Sequence, residues 1–103
     1  MLIGSPIAVS GMPVACTSRS GTVTSGGAAQ ALMAANSDRH GFWVQNVSTD
    51  DLWISDVGTA AAAQPSLKIP AGALYEAPIG GVPNTAISIF GATTAQAFAA
   101  REW

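Results

Sequence analysis

The 103-residue sequence predicts an all-β fold: a single β-sandwich, jelly-roll-like, of about eight short strands, with residues 1–12 as an extended N-terminal arm and 13–103 as the sandwich domain. Three observations lead there. Turn formers recur every eight to twelve residues or so, as GSP, SGMP, SRSG, SGG, NSD, STDD, PAG, PIGGVPN and FGATT, which is the rhythm of sandwiches and barrels. The segments between them are short, as strands of such folds are. Finally, SLKIP, AISIF and QAFAAR alternate at period two, which sends Leu67, Ile69, Ile87, Ile89 and Phe98 to a core. The length supports one modest core and not two.

Taken in order, the first twelve residues hold one proline and two glycines with little pattern, and read as an arm. Ile7 and Val9 are its candidate interface residues. Strands are expected at 14–17, 22–24, 30–34, 42–47, 52–56, 66–69, 74–77, 86–90 and 97–101. Two stretches compete with this. AAQALMAAN favours helix and ends in an Asn suited to a C-cap, yet it is too short to stand as a helix and is read as a strand. TAAAAQP is read as a loop with room for one helical turn.

Residues 35–55, ANSDRHGFWVQNVSTDDLWIS, concentrate the only histidine, two of three tryptophans and three of six acids. Two strands around a polar turn suggest a hairpin. With an odd loop, Phe42, Val44, Leu52 and Ile54 share the core face, while Trp43, Gln45, Trp53 and Ser55 share the other. In a hairpin Trp43 and Trp53 would then lie diagonally across the strand pair, within reach of each other. Their readings are a protein interface, a sugar-stacking platform, or burial beneath a second layer of the same subunit, with the interface preferred.

Composition narrows the classes further. Only 10% of residues are charged, against roughly 25% in a typical soluble domain. The net charge is −2, and Arg19, Arg39, Lys68 and Arg101 are scattered, so a phosphate-binding patch cannot be assembled and nucleic acid is not an expected partner. No apolar run approaches the 18 or so residues of a bilayer span, which argues against a membrane protein. The opening lacks the positive n-region of a signal peptide, so synthesis in the cytoplasm is expected. Low charge with 49% apolar residues suits a chain that hides surface against copies of itself or other proteins.

Catalytic chemistry finds little support. Cys16 is the single cysteine, which rules out an intrachain disulfide or a cysteine zinc site, and His40 is the only base available to a thiol or hydroxyl. Asp50 and Asp51 sit on a turn, where aspartate bonds to nearby backbone. Asp38 and His40 make too weak a pair for a metal, and neither Gly-Gly dipeptide has a phosphate-loop frame. No enzyme, cofactor or metal is expected. Asn36, Arg39, Gln45 and Asn46 interrupt apolar surroundings and read as a structural polar network, with the Arg39 fork donating to loop carbonyls.

From residue 28 onward, AAQALMAANSDRHGFWVQNVSTDDLWISDVGTAA, LKIPAGALYEAP and ISIFGATTAQAFAAREW set Gln30, Leu32, Asn36, Arg39, Gln45, Asn46, Pro70, Gly72, Gly91 and Glu102 at characteristic places. In these the chain resembles small virion proteins of tailed bacteriophages. The resemblance leaves the N-terminal arm unmatched. It implies head decoration or cement, or a small head–tail or tail-fibre component, with no cofactor and no catalytic residue. With the low charge, the expected role is a capsid decoration or cement protein in the virion that bridges capsid subunits as a homo-oligomer, with a trimer preferred and the major capsid protein or other virion proteins as partners. The alternatives the resemblance allows are a receptor- or glycan-binding module of a tail fibre, or a small head–tail component. The purified chain is therefore expected to be oligomeric at micromolar concentration. A stable monomer in light scattering, with tryptophan emission typical of solvent exposure, would contradict the interface role. Deleting residues 1–12 is expected to weaken assembly more than folding.

Overall fold

Alternation at period two turns directly into alternating burial. Along Phe42–Asn46 every second residue is buried, and the same holds in Ile87–Gly91 and most of Ala97–Glu102. The structure, a computed structural model, describes residues 14–103. Over these residues it is all-β, with nine strands: β1 (Thr17–Ser18), β2 (Gly21–Thr22), β3 (Gln30–Met33), β4 (Phe42–Asn46), β5 (Leu52–Ser55), β6 (Leu67–Ile69), β7 (Leu74–Glu76), β8 (Ile87–Gly91) and β9 (Ala97–Glu102). No helix forms among the described residues: AAQALMAAN supplies β3, and the alanine-rich segment before β6 is a loop of bends and turns.

Two antiparallel sheets pack face to face. The first runs β1–β9–β4–β7 with β2 also on β9, and the second runs β3–β8–β5–β6. Nine strands stand against the eight or so expected. β1 and β2 keep one register against β9, from Thr17 opposite Glu102 to Thr22 opposite Ala97, so they line a single sheet edge. That edge strand begins three residues later than the sequence suggests. The N-terminal arm, with Ile7 and Val9, lies outside the described residues.

The inner faces supply the core: Val23, Leu32, Met33, Phe42, Val44, Leu52, Ile54, Ile69, Ile87, Ile89, Phe98 and Ala100. Leu32 and Met33 are both buried although adjacent, because the ladder with β8 shifts between Ala31 and Met33 and accommodates an extra residue. Of the expected core residues, Ile69, Ile87, Ile89 and Phe98 are buried, whereas Leu67 is 45% exposed. Leu67 pairs with buried Ile54, so it lies on the inner side, but β6 is an edge strand and the mouth between the sheets stays open there.

The connection between β4 and β5 changes the expected picture most. The two strands are not a hairpin, since β4 belongs to the first sheet and β5 to the second. Residues 47–51 form an arch across the space between sheets, about 10 Å in a packed sandwich. Phe42, Val44, Leu52 and Ile54 are buried together as parity required, but from opposite walls of the core. Trp43 and Trp53 therefore point away from each other.

Substitutions should separate the core from the outer faces. Ile89→Ala is expected to lower stability by about 2–5 kcal/mol in thermal or denaturant melts. Gly91→Ala should also destabilise, because a Cβ there would lie 2.5 Å from Gln96 Oε1, 2.8 Å from Val23 and 2.9 Å from Leu52.

Candidate functional site

Each sheet presents one tryptophan on its outer face. In the first sheet Trp43 sits between Glu76 of β7 and Arg101 of β9. The Arg101 guanidinium carbon lies 4.7 Å from the indole centroid, a cation–π contact. A groove beside it is lined by Cys16, Ser18, Ser20, Ala99 and Arg101. In the second sheet Trp53 lies opposite Lys68 of β6 and Phe90 of β8. Lys68 pairs with Asp51 at 3.4 Å, with both side chains about half exposed. Both tryptophans are half-buried. A single platform made of the two is not built, because the arch puts the thickness of the sandwich between them. Ser55, expected on the outer face with Trp53, is buried. The loop after β5 folds back there, with Ala60 also buried and its amide donating to Ser88 Oγ at 3.0 Å.

The four polar residues singled out in the sequence do not form one network. Asn36 and Arg39 meet at one end of the sandwich around Glu102, whose side chain is carried inward by the same parity that buries Phe98 and Ala100. Glu102 Oε1 accepts from Arg39 Nε at 3.0 Å and Asn36 Nδ2 at 3.2 Å, and Oε2 accepts from Arg19 Nε at 2.7 Å. The rest of the Arg39 fork donates to the carbonyls of Pro83 (2.7 Å), Thr85 (2.9 Å) and Ala34 (2.7 Å). Burial of Glu102 pushes its pKa up, but the donors Arg19, Asn36 and Arg39 and the Arg39 charge outweigh it, so the carboxyl is held below its ordinary value.

Asn46 anchors a second cluster at the arch. Its Oδ1 accepts from the Ser48 amide (2.9 Å) and hydroxyl (2.7 Å), and its Nδ2 donates to the carbonyls of Asp50 (2.7 Å) and Ile69 (2.8 Å). Gln96 closes the same loop: Nε2 donates to Ser48 Oγ and to the carbonyls of Asp50 and Asp51, while Oε1 accepts from the Thr93 amide. Gln45 joins neither cluster; it lies outward on β4 between Leu74 and Ala99.

Sequence reasoning missed Arg19, Ser48 and Gln96 as members of these clusters. For Gln96 the signal was a lone amide at the head of a small-residue strand. For Arg19 there was none, because its partner is 83 positions away. Among the described residues, no buried side-chain nitrogen or oxygen lacks a hydrogen-bond partner, and no group of three or more His, Cys, Asp or Glu side chains is placed to hold a metal. No helix among the described residues is long and apolar enough to cross a membrane. His40 and Cys16 are both exposed.

Comparison with protein-family models, with curated proteins and with solved structures gave no match in any of the three. The geometry therefore carries the functional argument. It offers two outward faces, each with a tryptophan, on a frame locked by two saturated polar clusters.

Removing Glu102 should show what the first cluster does. Glu102→Ala leaves the Arg39 guanidinium buried without its counter-charge and is expected to cost roughly 3–5 kcal/mol of stability. Arg19→Ala, whose side chain is 40% exposed, should cost no more than about 1 kcal/mol. The pH dependence has a definite sign. Because the folded pKa is depressed, the Glu102 contribution is fully present above the ordinary glutamate value of about 4.3 and is lost as pH falls through the lower folded value. Melting temperature followed from pH 7 down to acid should therefore drop through that window, and Glu102→Gln should flatten the drop.

Proposed function

We propose that the chain is a non-enzymatic structural protein of a tailed-phage virion, of the capsid decoration or cement kind, which bridges neighbouring subunits as a homo-oligomer. The observation that carries this reading is the placement of Trp43 and Trp53 on opposite outer faces, since a bridging element needs two separate contact faces. Tryptophan is the residue most enriched at interface hot spots, and the sparse charge of this surface leaves little to oppose apolar contact. Strand order supports a jelly roll, an architecture found in viral capsid domains. Counting β1 and β2 as one edge strand, the order in each sheet pairs early with late strands, β1/β2 with β9 and β3 with β8, before β4–β7 and β5–β6. The same architecture houses lectins, and Trp53 opposite Phe90 gives one face an aromatic row, which favours receptor or glycan binding on a tail fibre as the second reading.

The test uses phage particles with and without the protein. Particles lacking it should release their genome at a lower temperature, and adding back the full chain should restore the wild-type value. The Trp53→Ala chain should add back poorly while still folding. Particles of unchanged heat resistance that fail to adsorb to cells would move the protein to the tail-fibre reading, and absence of the chain from purified particles would defeat both.

A further inference from the structure

The outer face of the first sheet is ordered in rows across the strands. One row reads Glu76, Trp43, Arg101 and Ser18 across β7, β4, β9 and β1. The next reads Leu74, Gln45 and Ala99. Glu76 and Arg101 flank the tryptophan from two strands apart, a separation of about 10 Å given the spacing of strands. They do not pair with each other, since the Arg101 guanidinium rests against the Trp43 ring between them. Among the described residues the ion pairs are Arg19–Glu102, Arg39–Glu102 and Lys68–Asp51, so both flanking charges are without a salt bridge and Arg101 engages only the Trp43 ring. Beside them Leu74 is 59% exposed, and Ala99 is small enough for close approach.

We propose that this face docks a second copy of the chain through a two-fold axis running along β4 past Trp43. Rotation by half a turn about an axis parallel to the strands reverses each row left to right. The sequence negative–aromatic–positive of one copy then meets positive–aromatic–negative of the other. Glu76 of each copy faces Arg101 of its mate, and the two Trp43 side chains meet at the centre. A two-fold axis across the strands would instead set Glu76 on Glu76 and Arg101 on Arg101, so charge selects one of the two face-to-face arrangements. The selected one keeps the strands of both copies aligned, as packed sheets prefer. It is isologous, so every favourable contact occurs twice. This assignment rests on the bridging reading only in leaving the Trp53 face for the shell, and it gives assembly a two-fold step in place of the three-fold order expected from the sequence.

Sedimentation of the pure full-length chain tests the pairing without any phage particle, so its failure leaves the virion assignment standing. The wild type should show a concentration-dependent dimer that weakens as salt is raised. Trp43→Ala, Glu76→Arg and Arg101→Glu should each raise the dimer dissociation constant about tenfold or more, with melting curves showing that each variant still folds. Two rescues are specific to the proposed geometry. The double variant Glu76→Arg/Arg101→Glu should dimerise again, and mixing the two single charge variants should give a heterodimer tighter than either homodimer. A wild type that stays monomeric to high concentration, or a stable trimer indifferent to all three substitutions, would overturn the proposal. So would single reversals that weaken association without rescue on mixing.

Discussion

A carboxylate taken out of water has to be ringed by donors, and Glu102 imposes that demand on one whole end of the sandwich. Its oxygens are met by Arg39, Asn36 and Arg19, which come from the loop between β3 and β4 and from the gap between β1 and β2. Arg39, itself fully buried, needs acceptors beyond the single carboxylate and takes three backbone carbonyls. One buried charge thus recruits a second, and the second fixes Ala34, Pro83 and Thr85. Loops already joined by the Asn36 amide on the Asn84 carbonyl acquire a common side-chain anchor as well. Burying an ion pair brings little net stability over an apolar pair of the same shape, so its use here is positional: this arrangement of the loops leaves none of the buried side-chain donors or acceptors unmet among the described residues.

At the opposite end neutral groups meet a similar demand. Asn46 and Gln96 each use both ends of the amide, and between them they bind the arch to the β6 end and to the turn before β9. Amides suit this place because the arch exposes backbone carbonyls and amides together, and a carboxamide answers both. The sheets are therefore clamped at the two ends by different chemistry, charged at one and neutral at the other. The apolar core needs no polar group between them.

How much of this was legible in the sequence depends on whether the signal was local. Alternation in SLKIP, AISIF and QAFAAR marked strands and inner faces because parity is a property of consecutive residues. It marked Phe42, Val44, Leu52 and Ile54 for the same reason. It could not say whether 42–46 and 52–55 pair side by side or face each other across a core, because a hairpin and an arch of odd length bury the same four residues. The error in placing Trp43 beside Trp53 followed from that ambiguity alone. Leu67 shows the complementary gap: parity turns it inward, while its exposure is set by β6 being an edge, which depends on strand order. The polar residues were recognisable as out of place in apolar strands. Their division into two clusters was not, since Glu102 lies 63 residues from Arg39 and Gln96 lies 48 from Ser48.

The position of β9 has a consequence for how the chain comes to be folded. It is the last strand in sequence, yet it sits inside the first sheet, with β1 and β2 on one side and β4 on the other. Until it is made, the early strands have no neighbour to pair with and β4 has only β7. A chain in which β9 is not yet free to pair holds an unfinished sheet whose open edges and apolar faces invite association with other chains. Closing it means joining segments some eighty residues apart, the kind of non-local contact that makes all-β folding slow. A frameshift or stop that removes β9 would therefore strand β1, β2 and one edge of β4 together, a loss far larger than that of a single edge strand.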